Sequence, residues 1–150
     1  MSLPADFKRR LEIRAEELKG SVSQIVREVA LKVDEQVVKA TPVDTGVARS
    51  NWVAALNTPA RGVRGAYAPG SKLGLGEGAN AQAAMNQAKG VASQFKAGEN
   101  QVLYISNNTP YISVLNAAPQ HSTQADPNFV ETAAMEGIQL VTSKRRKLLK

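Results

Sequence analysis

The sequence predicts an α+β domain in which a long N-terminal helix and a C-terminal helix pack on a small, curved antiparallel sheet, with an extended Gly-rich loop. Three observations predict this class. Apolar residues recur at spacings of three and four along residues 4–40 and again from residue 127 onward. Residues 50–56 and 102–106 are strand-like, and residues 57–79 hold six glycines and two prolines. With 150 residues, 43% of them hydrophobic, residues 1–150 are expected to form one domain.

The N-terminal helix is predicted from about Pro4, a residue favoured at the first helical position, to Ala40, just before Pro42 prevents its continuation. Unbroken, it would be about 55 Å long, which is more than a domain of this size can cover. We therefore expect either a bend at Gly20 or packing of part of its apolar stripe on another chain. The stripe comprises Phe7, Leu11, Ala15, Leu18, Val22, Ile25, Val29 and Val33.

A two-stranded coiled coil is the alternative interpretation of this stripe. Such a structure needs a sustained heptad with charges at the flanking positions, and here the stripe drifts after Ile25 toward Val26, Val33 and Ala40. Packing under a sheet, extended across a subunit boundary, fits the drift better.

Residues 41–52, TPVDTGVARSNW, form the turn between the helix and the first strand. Pro42, Asp44, Thr45 and Gly46 are residues typical of a sharp reversal, and Trp52 is predicted to anchor the core facing the helix. Asp-Thr-Gly is also the catalytic triplet of aspartic proteases, which would here require a dimer. The charged helical run before Pro42 disfavours that hypothesis, because those enzymes place the triplet between apolar strands.

The first strand covers residues 50–56, and residues 57–79 follow as a connection far longer than is usual. Its many glycines and few apolar side chains predict that it is either disordered alone or ordered by a partner, as an assembly arm. The candidate partner or channel contacts in it are Arg61, Arg64, Tyr67, Lys72 and Leu75.

Three further elements complete the prediction. Asn80 is expected to cap a second helix, a strand follows at residues 102–106, and Pro110 and Tyr111 begin a second turn. Asp126 is expected to cap the last helix, with Pro127 at its first position. The buried side of that helix is predicted to contain Val130, Ala133, Ala134, Gly137, Ile138 and Val141.

The net charge of +6 lies largely at the C-terminus. The last seven residues contain five bases and no acid, and the rest of the chain holds 14 basic and 13 acidic residues. A small DNA-binding protein that uses this tail with Lys8, Arg9 and Arg10 is therefore an alternative function, although aromatic residues that could stack on bases make up only 5%. The tail contacts would be Lys144, Arg145, Arg146 and Lys147.

The sequence contains few groups of residues of the kinds that form catalytic or metal sites. There is no cysteine, and the single histidine, His121, has no cysteine or acidic cluster near it. We expect no enzymatic activity, no cofactor and no metal. No run approaches the ~20 apolar residues of a membrane span, and no secretory signal is evident, so no membrane association is expected.

Several patterns follow one another along the chain. The long helix comes first, then P-V-D-T-G-x-x-R-x-x-W with Arg49 and Trp52, and later N-N-x-P-Y at residues 107–111. A His-Ser-x-Gln-Ala segment at residues 121–125 and a closing helix follow. Over about two thirds of the chain, this arrangement resembles the neck or tail-completion family of long-tailed, siphovirus-like bacteriophages.

The resemblance implies a structural virion protein that forms a ring, as a hexamer, at the head-tail junction. The ring would join the connector or stopper to the tail terminator or tube proteins and surround the DNA channel, and it would assemble in the host cytoplasm. The matching residues from Pro42 to Gly46, with Trp52, Pro110 and Tyr111, would shape the fold, and none would be catalytic. Residues 116–119 depart from the family pattern, which leaves the loop before His121 undefined.

Overall fold

The computed structural model describes residues 5–43, 45–69, 76–117 and 125–148. It confirms the α+β class: a long N-terminal helix packs against the C-terminal helix, and a two-stranded antiparallel sheet contacts the helices. Expectations that concern Asp44, Lys72, Leu75 and His121 lie outside the described residues. The elements are α1 (Ala5–Ala40), α2 (Val47–Ser50), β1 (Trp52–Leu56), α3 (Glu77–Ala92), β2 (Leu103–Asn107), α4 (Ile112–Ala117) and α5 (Phe129–Leu148).

Helix α1 is continuous through Gly20, so the chain does not end or restart the helix at the position where a bend was expected. Its 36 residues span about 54 Å. All of residues 5–22 are exposed, whereas the buried positions of α1, Ser23, Asp34, Val37 and Val38, lie in its second half. Only that second half packs against the rest of the described chain to a substantial extent.

Helix α5 packs antiparallel to α1, since Gly137 lies against Val33 and Arg145 against Glu28. A Cβ at residue 137 would lie 2.7 Å from Val33 Cα, so the two backbones approach more closely than any side chain permits. The buried row of α5 advances by four residues and comprises Phe129, Ala133, Gly137 and Val141. The prediction that Ile138 belongs to it is wrong, because Ile138 lies beside that row and is 45% exposed.

The sheet pairs Trp52 with Asn107 and Leu56 with Leu103. Strand β2 begins one residue later than predicted. Trp52 and Ala54 point inward and are buried, which confirms the predicted position of Trp52 facing α1. The core comprises Val37, Val38, Trp52, Ala84 and Ala133.

The predicted caps of α3 and α5 are both wrong. Helix α3 begins at Glu77 after Gly76, whose φ of 70° is left-handed, and Asn80 lies inside the first turn. Helix α5 begins at Phe129, and the Asn128 carbonyl accepts the Thr132 N–H, so Asp126 and Pro127 precede the helix. The reason is a tertiary contact: the Asn116 side chain accepts the Val130 N–H at 2.9 Å and satisfies one of the N-terminal donors of α5.

Asp34 is the one acidic residue of α1 that is buried among the described residues, at 1% exposed. Neither carboxylate oxygen has a hydrogen-bond partner. Burial without a compensating donor disfavours the charged form and raises the pKa of Asp34 from 3.8 to about 7. The folded chain therefore holds a proton at Asp34 that the unfolded chain releases near pH 4.

Because the folded chain binds this proton more tightly than the unfolded chain does, we expect the free energy of unfolding to fall as the pH rises. The stabilising effect of protonated Asp34 is complete below pH 3.8 and is lost as the pH rises to about 7, at about 1.4 kcal/mol per pH unit. We expect a lower free energy of unfolding at about pH 8 than at about pH 5, measured by urea denaturation, and Asp34→Asn should remove most of the difference.

Glu35→Gln is the matched control. The Lys32 and Lys39 side chains hold the pKa of Glu35 below its ordinary value of 4.5, so its contribution to stability is constant from about pH 5 upward and is lost only in acid. An equal pH dependence in wild type and Asp34→Asn would contradict the assignment.

Candidate functional site

The described part of the chain contains no group of three His, Cys, Asp or Glu residues that could hold a metal ion. Within the same residues, no helix is long and apolar enough to cross a membrane. The features that remain are the two turns, the loop after β1, and the exposed faces of α1 and α5.

The turn after α1 is held by hydrogen bonds to the last carbonyls of that helix. The Thr41 hydroxyl donates to the Val37 carbonyl at 2.6 Å and accepts the Trp52 indole N–H at 2.7 Å. The buried Arg49 guanidinium donates to the carbonyls of Lys39 and Thr41 at 3.1 and 3.0 Å. These bonds satisfy carbonyls that a helix end leaves open, and they fix the direction in which β1 leaves α1. Arg49 and Trp52 therefore shape the fold.

Asn80 does not cap α3 but is a fully buried connector between three segments. Its Oδ1 accepts the Ser50 hydroxyl at 3.0 Å and the Ala68 N–H at 2.7 Å, and its Nδ2 donates to the Ala68 carbonyl at 2.9 Å. Gly46 lies directly over it with a φ of 83°, and a Cβ there would be 2.2 Å from Asn80 Nδ2. Glycine at this predicted turn position is thus required by both backbone conformation and space.

Part of the loop after β1 is held by the chain's own side chains. The Asn51 carboxamide pairs with the Arg64 backbone, donating to its carbonyl at 2.8 Å and accepting its N–H at 2.9 Å. The Tyr67 N–H donates to the Ser50 hydroxyl at 3.2 Å. Residues 64–68 therefore have anchors within the chain, which the composition of the loop did not predict. Apolar content was a poor guide there, because the anchors are buried polar side chains.

Two of the candidate contacts in this loop interact with each other. The Arg64 guanidinium stacks on the Tyr67 ring, 3.6 Å from its centroid, and also donates to the Tyr67 hydroxyl. Arg64 is exposed on the outside of this pair, whereas Tyr67 also packs against the core. Arg61 and Val63 are exposed nearby, so the outer face of residues 61–64 is available to a partner.

The second turn is organised by Asn107 at the end of β2. Its Oδ1 accepts the Thr109 N–H at 3.1 Å and hydroxyl at 2.6 Å, and its Nδ2 donates to the Ala48 carbonyl at 2.8 Å. This network ties the turn at Pro110 and Tyr111 to α2. Both turn residues are exposed, Tyr111 by 40%. The fold-shaping role expected of these two residues stays a prediction.

An exposed apolar row runs along the first half of α1 and ends at Ile25, just inside its second half. We call Phe7, Leu11, Leu18, Val22 and Ile25 the α1 stripe; these side chains are 38–66% exposed and share one face of the helix. The charged side chains of the same half pair with one another, as in Asp6 with Arg10 at 2.7 Å and Glu16 with Lys19 at 3.1 Å. The stripe is therefore an apolar surface with nearly neutral flanks.

The basic end of α5 is only partly available. Arg145 is half-buried and lies 3.1 Å from a Glu28 carboxylate oxygen, so it joins α5 to α1. Lys144, Arg146 and Lys147 are exposed. Three of the four predicted tail contacts can thus meet another molecule.

Comparison of the chain with models of known protein families gave no match, and neither the curated proteins nor the solved structures gave one. The assignment of function therefore depends on the surfaces described above and on the sequence patterns.

The Asn80 network predicts a coupled loss of stability and loop order. Asn80→Ala leaves the Ser50 hydroxyl and both Ala68 backbone groups without this partner, which we expect to lower the free energy of unfolding by about 2 to 4 kcal/mol. Limited trypsin digestion of the folded protein should then cleave after Arg61 and Arg64 faster than in wild type. Asn86→Ala is the control, because Asn86 is exposed on the same helix and bonds only Gln82. Equal cleavage rates in both variants would contradict the role of Asn80.

Proposed function

We propose that the chain is a structural subunit of a homo-oligomeric ring, and that this ring is the neck or tail-completion ring of a long-tailed bacteriophage virion. The ring, a hexamer by resemblance, joins the connector or stopper to the tail terminator or tube proteins around the DNA channel. It assembles in the host cytoplasm. The chain acts by packing and has no catalytic role.

The observation that carries the assembly role is the uncovered α1 stripe. A helical segment of 18 residues whose side chains are all exposed gains little stabilisation from tertiary packing, and helices of such length are marginal in water by themselves. Covering apolar side chains stabilises by roughly 1 kcal/mol or more for each. A neighbouring copy that packs on the stripe supplies this cover and joins two subunits.

The phage assignment is supported by the residues that resemble the family. Gly46, Arg49 and Trp52 hold the turn after α1, and these are positions that the resemblance associates with shaping the fold. The charged helical run before Pro42 disfavours the aspartic protease alternative through Asp44, Thr45 and Gly46.

A second candidate function, DNA binding, is favoured by the exposed side chains at the end of α5. Lys144, Arg146 and Lys147 form an exposed basic group there. Of the three bases Lys8, Arg9 and Arg10 on the first half of α1, Arg10 supports it less, because Arg10 pairs with Asp6. In the ring, the basic group would contact genomic DNA without sequence specificity.

The test of the assembly role is the mass of the purified protein by light scattering across a concentration series, with negative-stain imaging. We expect wild type to form a ring. The double variant Leu11→Ser/Leu18→Ser should lose it, because the substitutions remove two central side chains of the α1 stripe.

The matched control is Arg10→Ser/Glu17→Ser, which makes the same replacements at adjacent positions of the same helix outside the stripe. Its exposed ion pairs contribute little, so it should assemble as wild type does. Wild type that remains without higher-order species at all concentrations, or equal loss in both variants, would contradict the proposal. A steep salt dependence of DNA retardation that disappears in Lys144→Ala/Arg146→Ala/Lys147→Ala would favour DNA binding instead.

A further inference from the structure

The two edges of the sheet differ. On the outer edge of β1, the Gln87 side chain occupies both backbone groups of Ala54, accepting its N–H at 2.9 Å and donating to its carbonyl at 2.9 Å. At Ala54 this carboxamide makes the two hydrogen bonds that a third strand would make, and it closes the centre of the edge. Among the described residues, no side chain or backbone group does the same for β2.

The pairing of β1 with β2 decides which groups of β2 face outward. The Asn57 N–H donates to the Val102 carbonyl at 2.7 Å, so the residues hydrogen-bonded to β1 are Val102, Tyr104 and Ser106. The N–H and C=O groups of Leu103, Ile105 and Asn107 therefore point away from β1. Ala54, whose backbone groups bond Gln87, lies opposite Ile105. The backbone groups of both residues point away from the partner strand, as the alternation of an antiparallel pair requires.

An apolar groove adjoins this open edge. Its volume is about 390 Å³, and none of the described residues that line it is charged. The side chains of Leu103 and Ile105 form one wall, and the second half of α1 forms the other through Ile25, Val26, Val29, Ala30 and Val33. The groove continues the α1 stripe, since Ile25 belongs to both.

We propose that β2 pairs antiparallel with β2 of a second copy of this chain, which makes one continuous four-stranded sheet across the two molecules. In a two-fold pairing centred on Ile105, Leu103 of one copy lies opposite Asn107 of the other. All outward N–H and C=O groups of these residues then find partners. Ile105 of the second copy falls on the inner face of the sheet and covers the groove.

Three properties of β2 favour its own copy as the occupant. The strand, LYISN, carries no charge, so self-pairing sets no like charges opposite each other. It also has no proline, lysine or other feature with which proteins protect an open edge, and such an edge is normally covered. The open groups are symmetric about Ile105, as an isologous contact requires.

This contact does not depend on the proposed ring. An isologous contact closes at two copies, so it predicts a dimer whether or not larger species form. The two proposals fail separately: substitutions in the α1 stripe should remove the ring and leave the dimer, whereas substitutions at the β2 edge should remove the dimer.

The test is the dimer dissociation constant by sedimentation, measured in the Leu11→Ser/Leu18→Ser background so that only this contact is measured. Ile105→Lys places an ammonium group in the groove and should raise the constant at least about tenfold. Tyr104→Lys is the matched control, because its side chain lies on the other face of the sheet and its backbone groups face β1. The dimer dissociation constant of this variant should lie within about twofold of that of the Leu11→Ser/Leu18→Ser protein. Equal effects of the two substitutions would overturn the proposal.

Amide exchange in the unsubstituted strand tests the same contact if Ile105→Lys fails to fold. The amides of Tyr104 and Ser106 should be protected at every concentration, whereas those of Leu103 and Ile105 should become protected only as the dimer forms. A chain that stays monomeric, or a dimer in which Leu103 and Ile105 exchange freely, would overturn the proposal. Either result would leave the edge to a strand from a different protein.

Discussion

Helix α1 is longer than the surface that the other described elements provide to cover it, and the rest of the structure is arranged around this constraint. Helices α3 and α5 and the sheet pack on its second half, which supplies Val37 and Val38 to the core. The first half receives no comparable cover from the described residues, yet it carries an apolar stripe. Burying such a surface is the main favourable term in association, so the length of α1 points to a second chain. The assembly role proposed for the chain follows from this constraint.

The contacts that hold the covered half of α1 leave little room for larger side chains or for movement of the elements. The backbones of α1 and α5 meet at Gly137, where even a methyl group would overlap Val33. At the end of α1, the carbonyls of Val37, Lys39 and Thr41 are bonded by Thr41 and Arg49, and the Trp52 indole closes the turn. These contacts therefore fix the relative positions of the elements that present the α1 stripe and the β2 edge. Asp34, buried without a partner, is the exception that makes its stability depend on pH.

The sequence predicted those features that depend on local periodicity and turn chemistry. The stripe of α1, the glycine at position 46 and the inward Trp52 all have a signal within a few residues. The misassigned features depend on contacts between distant segments. Asn80 was given the role that asparagine usually has before a helix, whereas its partners, Ser50 and Ala68, are 30 and 12 residues away. Asn51 and Asn116 likewise hold distant backbone groups, which no local pattern reveals. The closed edge at Ala54 depends on Gln87, 33 residues later.

The central claim is that another copy covers the first half of α1. Hydrogen exchange of the backbone amides along α1, measured as a function of protein concentration, tests it most directly, because the second half of the helix provides an internal reference. The account predicts that residues 5–22 exchange rapidly in dilute protein and become protected as the assembly forms, whereas residues 23–40 are protected throughout. Exchange of residues 5–22 that is independent of concentration, while larger species form, would contradict it.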